Sequence, residues 1–287
     1  MRKFIILVVM AAMLVSIGVA QAVGELDVSI LGSDGTINGA WFHYCDPSGS
    51  TGTGIFDPFL SIDPVGPNSG GIWELGYNFD YSSSQPALYD EVTGGDRTHT
   101  LLLSTVPKLW VDTTGDGLVD DLYREFRIDV NQSGNAPLTL DTLKIYQSSD
   151  DVLDPLHGPL YGYDSSTGLL GGVAPIYDMG DDDWVRMAGQ HGSGSGDMRV
   201  LILDSLFDPA KPYVQMYSVM GDVPWTLITD PNRFEYASND GFEEWGVITG
   251  DQPPTPLIPE GSSILLALSS LPTVGMLGWL RRKRQSG

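Results

Sequence analysis

The sequence predicts an all-β protein, an antiparallel β-sandwich or jelly-roll-like single domain. Three observations predict it. Between residues 23 and 250, apolar residues alternate over short runs, and no helical period lasts longer than two turns. The chain contains 35 Gly and 19 Pro, and these residues separate the runs as turn residues do. The acidic residues are mainly Asp, which favours turns over helices.

Around ten short strands are expected. Phe126, Ile128 and Val130 share one face of a strand, and residues 213–219 alternate in the same way. Residues 200–203 are continuously apolar, as in a strand buried between two layers. The other predicted strands are 25–30, 36–44, 55–62, 72–79, 98–103, 108–111, 138–146, 184–187 and 242–248. No internal repeat is evident, which argues against a propeller or solenoid.

The first 22 residues predict a secretory signal peptide. Arg2 and Lys3 precede an apolar helix-forming run, and Ala20 and Ala22 are the small residues that signal peptidase requires. We therefore expect export and cleavage after Ala22. An uncleaved membrane anchor is the alternative.

Charge and cysteine content exclude several classes of protein. No acidic residue lies before Glu25 or after Glu260, and the part between the two basic ends carries 37 acidic against nine basic residues. A binder of nucleic acid is therefore excluded as a first interpretation, because such proteins use clustered Lys and Arg. The single cysteine, Cys45, allows neither an intrachain disulfide nor a Cys-based zinc site.

The C-terminal end has the order of a sorting or anchoring segment. Residues 251–260 form a proline-rich linker that ends in Pro259-Glu260, and Gly261 follows. Within residues 261–287, the 17 uncharged residues 264–280 would span about 25 Å as a helix, slightly less than the ~30 Å hydrocarbon core. A basic cluster follows, and its residues are Arg281, Arg282, Lys283 and Arg284.

This order resembles the PEP-CTERM sorting signal of Gram-negative bacteria. The family pattern is Pro-Glu-Pro, and Gly261 departs from it at the third position. The resemblance implies that an exosortase, a membrane protease-transpeptidase, processes the tail. It also implies transient anchoring in the membrane through the hydrophobic helix, followed by release to the cell surface or the extracellular space. An ordinary single-pass membrane protein is the alternative.

Four runs in residues 23–250 resemble recurrent stretches of secreted proteins that carry such tails, some of which have a closing strand of the DGFEEW type. The runs are GTGIFDPFLSI (52–62), ELGYN (74–78), YREFRIDVNQ (123–132) and NDGFEEWGV (239–247). This resemblance implies an architecture and a destination, and it assigns no catalytic residue.

One loop has the pattern of a calcium site. Residues 112–121 read DTTGDGLVDD and resemble part of a dockerin or EF-hand loop. The predicted ligands are Asp112, Thr114, Asp116, the Leu118 carbonyl, Asp120 and Asp121. Thr114 stands where Asp or Asn is usual, and Tyr123 replaces the closing acid, so Asp121 would have to substitute for it. The alternative is a tight hairpin loop whose acids are solvated.

Other constellations are weaker. The four histidines are scattered, and none has a partner at ligand spacing. Glu243 and Glu244 are adjacent in a predicted strand and therefore point to opposite faces, which does not suit paired acid-base catalysis. The tryptophans suit either a core or a surface that stacks on sugars.

Three functions follow from these patterns. The first is a non-enzymatic envelope or extracellular-matrix protein, with signal peptidase, an exosortase and an extracellular polysaccharide as its partners. The second is a calcium-dependent carbohydrate-binding or adhesive module. The third is a secreted hydrolase, which is disfavoured because no nucleophile-base pair is recognisable.

Overall fold

A computed structural model describes residues 24–45, 56–63, 73–78, 87, 89–93, 97–114, 116–132, 134, 136–149, 163–188, 196–222, 233–239, 241 and 243–249. The described part is all-β, with three short 3₁₀ turns at Leu103–Thr105, Asp204–Leu206 and Arg233–Tyr236. The predicted signal peptide, linker and C-terminal tail lie outside the described residues.

Sixteen strands are present in the described residues. They are β1 Glu25–Asp27, β2 Asp34–Ile37, β3 Ala40–Tyr44, β4 Phe56–Ile62, β5 Glu74–Tyr77, β6 Leu101–Leu102, β7 Lys108–Val111, β8 Asp121–Asp129, β9 Pro137–Ser148, β10 Tyr163–Asp164, β11 Leu169–Leu170, β12 Tyr177–Asp178, β13 Trp184–Ala188, β14 Met198–Leu203, β15 Tyr213–Met220 and β16 Glu243–Ile248.

The strands form two seven-stranded sheets and one two-stranded hairpin. The first sheet has the order β1-β13-β9-β15-β5, with β12 paired to β9 and β6 to β15. The second has the order β2-β3-β14-β8-β16-β4, with β7 paired to β8. Strands β10 and β11 form the hairpin.

One apolar core joins the two sheets. Leu140 and Met216 of the first sheet belong to the same buried cluster as Phe126, Val200 and Trp245 of the second. The alternation predicted for β8 is confirmed, because Phe126, Ile128 and Val130 all lie in this core. Burial of the inner faces is therefore what holds the two layers together.

A second apolar cluster lies on the outer face of the first sheet. Tyr77, Tyr146 and Tyr217 pack there with Leu170 of the small hairpin. Tyr163 of that hairpin stacks on Tyr217, with ring centroids 3.8 Å apart. The hairpin thus covers tyrosines that would otherwise face solvent.

Two sequence predictions about the strands were wrong. The run 36–44 was predicted as one strand, but it turns back at Asn38-Gly39, where both residues have positive φ (49° and 83°). This is the backbone that a two-residue hairpin of the Asn-Gly type requires. The sheets were predicted to be purely antiparallel, yet β1 pairs parallel with β13, so the first sheet is mixed.

The closing strand β16 lies between two other strands, because it pairs with β4 on one side and β8 on the other. The chain that leads into β16 passes the Asn131 backbone at Gly241. This residue has a φ of +79° and lies so close to the Asn131 carbonyl that a Cβ would clash with it. Gly246 sits at a bulge, where a Cβ would lie 2.8 Å from the Asp57 carbonyl.

We expect Gly241→Ala to destabilise the protein more than Gly117→Ala. Both glycines have positive φ, but the position of a Cβ at Gly117 is open, whereas the one at Gly241 meets backbone. Backbone strain alone costs about 1–2 kcal/mol, and the clash adds to it only at Gly241. Urea unfolding of the purified chain measures both changes, and equal losses would contradict the close packing at Gly241.

Candidate functional site

The predicted calcium loop connects β7 to β8. These two strands are antiparallel, as the hairpin interpretation requires, and the Asp120 N–H closes the loop on the Val111 carbonyl at 2.9 Å. Gly117 has a φ of +86°, the left-handed conformation that glycine adopts without strain.

Asp112 is the structural centre of this loop. It follows β7 directly and is 1% exposed. Its carboxylate accepts hydrogen bonds from the Gly117 N–H at 2.7 Å and the Thr114 N–H at 3.1 Å. A buried carboxylate that accepts backbone N–H groups holds a turn in place, which is a structural role.

The three other acids among the predicted ligands also accept hydrogen bonds from the loop itself. Asp120 accepts from the Thr114 hydroxyl at 2.9 Å, and Asp121 accepts from the Thr113 hydroxyl at 3.1 Å. Asp116 accepts from the Leu118 N–H at 2.8 Å. The structure thus brings Asp112 and Asp120 together around Thr114.

The described residues include no group of three or more His, Cys, Asp or Glu side chains placed to hold a metal ion. The antiparallel strands fit the hairpin interpretation, but the acids are not simply solvated as it expected, because they accept hydrogen bonds from backbone and hydroxyl donors of the loop. Calcium binding at these positions stays a prediction.

Aromatic and apolar side chains are exposed beside this loop. Trp110, in β7, is 47% exposed, and Leu118 and Val119 in the loop are 68% and 46% exposed. By contrast, Trp184 and Trp245 are buried. Among the tryptophans that the structure describes, Trp110 is therefore the most exposed and the one best placed to meet a ligand.

The structure places a second acidic group where no sequence pattern indicated one. Glu74 begins β5 in the first sheet, Glu243 begins β16 in the second, and both are 0% exposed. Their carboxyl groups lie within hydrogen-bonding reach of each other. Gln132, just after β8, donates to Glu243 Oε1 at 2.6 Å.

The pKa values of both glutamates are raised in this buried pair. Burial, and next the charge of Glu243, raise the pKa of Glu74 well above its usual value. Burial also raises the pKa of Glu243, although hydrogen bonds from Glu74 and Gln132 act in the opposite direction. Neither carboxyl reaches solvent, so the pair is not placed to act on an external substrate.

The prediction that Glu243 and Glu244 point to opposite faces is confirmed. Glu243 faces the interior, whereas Glu244 accepts a hydrogen bond from the Ser61 hydroxyl at 3.0 Å. The partner of Glu243 was missed because Glu74 is far away in the sequence. The sequence signal that could have indicated the pair is an acidic residue at the start of each of two apolar strands, Glu74 in β5 and Glu243 in β16.

Neither His43 nor the basic groove beside β7 offers an uncompensated charge for chemistry. Burial and nearby Arg199 lower the pKa of His43 to about 4, so this histidine is neutral at physiological pH. A shallow groove beside the start of β7 contains Lys108 and Arg124. Both pair with Asp204, at 3.0 and 2.7 Å, and the charges in this groove are therefore compensated.

Comparison of the chain with protein-family models, curated proteins and solved structures gave no match. In the described part of the chain, no helix is long and apolar enough to cross a membrane.

We expect Asp112→Ala to lower stability by about 1–3 kcal/mol, because it leaves buried backbone N–H donors without an acceptor. Asp116→Ala should change it by less than about 0.5 kcal/mol, since Asp116 makes one exposed contact in the loop. Chemical unfolding in the presence of a chelator measures both. Equal effects would show that Asp112 does not organise the hairpin.

Proposed function

We propose that this chain is a non-enzymatic exported protein of the PEP-CTERM type, which an exosortase sorts to the cell surface or the extracellular matrix. The observation that carries the proposal is the order of features in the C-terminal sequence: a proline-rich linker, Pro259-Glu260, the apolar run 264–280 and a basic cluster. The predicted signal peptide at the other end supplies the route of export.

The arrangement of the resembling runs supports this assignment. Strands β4, β5, β8 and β16 come from the four runs that resemble secreted PEP-CTERM proteins. Strand β16 pairs with β4 and β8, and Glu243 of β16 meets Glu74 of β5. Segments that are distant in sequence thus form one structural unit around the closing strand.

We further propose that the two sheets form a sandwich of the jelly-roll kind within a single domain spanning residues 23–250. The core that both inner faces share supports this description. Such a body would carry many exposed acids, which keep chains apart and attract divalent cations that link them to acidic polysaccharide.

Processing of the two ends tests the proposal. In a Gram-negative host with an exosortase, mass spectrometry of protein from cells and medium should find a chain that begins at Val23 and lacks the basic tail. Alanine substitution of Arg281, Arg282, Lys283 and Arg284 should leave the tail uncleaved, as should a host without exosortase. A secreted chain that keeps residue 287, or a chain confined to the cytosol, would refute the proposal.

A calcium-dependent carbohydrate-binding module is the second candidate function, and exposed Trp110 next to the Asp loop favours it. An exposed indole offers a flat surface on which a sugar ring stacks. Asp112, Thr114, Asp116, Leu118, Asp120 and Asp121 are the residues that would hold calcium, which would order the loop beside this surface.

On a glycan array, this candidate predicts binding that a chelator removes and that Trp110→Ala weakens about tenfold or more. Trp184→Phe serves as a control, because Trp184 is buried. Calcium should raise the melting temperature of the wild-type chain but not that of Asp116→Ala. A melting temperature that does not change with calcium, together with no binding to any glycan on the array, would refute this function.

A further inference from the structure

The Glu74–Glu243 pair is unusual because three of its four buried carboxyl oxygens lack the donor that a buried carboxylate needs. Both oxygens of Glu74 and Oε2 of Glu243 are buried and receive no hydrogen bond from a donor group. Two ionised carboxylates offer only acceptors to each other. As ionised groups they would therefore be unsatisfied and would repel each other across a dry interior.

The surroundings of Glu74 increase this repulsion. The strongest charges acting on it come from Glu243, Asp90 and Asp63, all of them acidic. Glu91 is another buried acid beside β5, where its side chain passes over Gly76 and accepts the Tyr77 N–H at 3.1 Å. These neighbours supply negative charge from the segments packed beside β5.

The two carboxyls also connect the layers. Glu74 is the cross-strand neighbour of Met220, and Glu243 is that of Ile62. Met220 and Ile62 both belong to the shared core, so both glutamates point into the space between the sheets. An attraction between them closes the sandwich at this end, whereas a repulsion opens it.

A single proton resolves the conflict. We propose that Glu74 and Glu243 share one proton in the folded protein and form a latch between the two sheets that weakens as the pH rises. Glu74 carries the proton and donates it to Glu243, which stays ionised because Gln132 already donates to its other oxygen. An O–H···O⁻ bond of this kind is among the stronger hydrogen bonds.

The direction of the pH dependence follows from proton linkage. The pKa of Glu74 is raised in the folded state, whereas an unfolded chain has an ordinary glutamate with a pKa of about 4.3. The stabilisation is therefore complete below about pH 4.3 and decreases as the pH rises toward the folded-state value. Over that range, loss of the proton from this pair raises the unfolding equilibrium constant by up to about tenfold per pH unit.

Glu74→Gln tests the latch, because the amide donates to Glu243 without needing a proton. The unfolding equilibrium constant of the full chain is measured by urea titration from pH 4 to pH 9. We expect wild type to weaken relative to Glu74→Gln by about tenfold per unit above pH 5. Glu244→Gln is the matched control, since Glu244 bonds Ser61 instead, and it should follow wild type.

A carbon NMR titration of wild-type protein gives a second readout that does not depend on the variant folding. One glutamate carboxyl should remain protonated at pH 6, and its signal should be absent from Glu74→Gln. If every glutamate carboxyl is ionised at pH 6, the latch is refuted. If calcium stabilises wild type at pH 7 but not Glu74→Gln, a cation occupies the pair and the shared proton is again refuted.

Discussion

The cohesion of this molecule depends on the apolar layer between its two sheets. The single cysteine is a buried free thiol, so no disulfide within the chain supports the fold. Strands of both sheets contribute to one cluster, which includes Leu140, Val200 and Trp245. The strands of the two sheets consequently direct the apolar residues of this cluster inward, and polar groups that enter this layer need partners there.

The closing strand shows how polar groups are accommodated in that layer. The Trp245 indole donates to the Ser218 hydroxyl across the interior at 3.1 Å, while Gln132 satisfies one oxygen of Glu243. Gly241 lets the chain pass the Asn131 backbone before the strand begins. The run NDGFEEWG therefore has a local physical explanation at most of its positions, and none of these explanations involves catalysis.

The features that the sequence predicted well are local ones. Alternation within residues 123–130 and 213–219 identified β8 and β15 because the faces of a strand can be read from a few adjacent residues. The β7–β8 hairpin followed from two strands and a glycine-containing loop. The Asn38-Gly39 turn was also local and was overlooked, although that dipeptide is a strong hairpin signal.

Features that require distant partners could not be predicted. The parallel pairing of β1 with β13 and the meeting of Glu74 with Glu243 join residues that no periodicity relates. In the Asp loop, the sequence is compatible with a calcium site or a hairpin, and the three-dimensional structure shows the acids accepting hydrogen bonds from Thr114 and Gly117. The residue types in the sequence restrict which ligands and hydrogen bonds are possible. The fold then determines which of these side chains come into contact.

The position of β16 also has a consequence for how the chain assembles. It is the last strand in sequence among the described residues, yet it occupies an interior place between β4 and β8. The second sheet cannot be completed until nearly the whole chain has been synthesised and has emerged. Contacts between residues so far apart in sequence slow folding. Until β16 arrives, β4 and β8 each have an unpaired backbone edge, which a chaperone would need to shield.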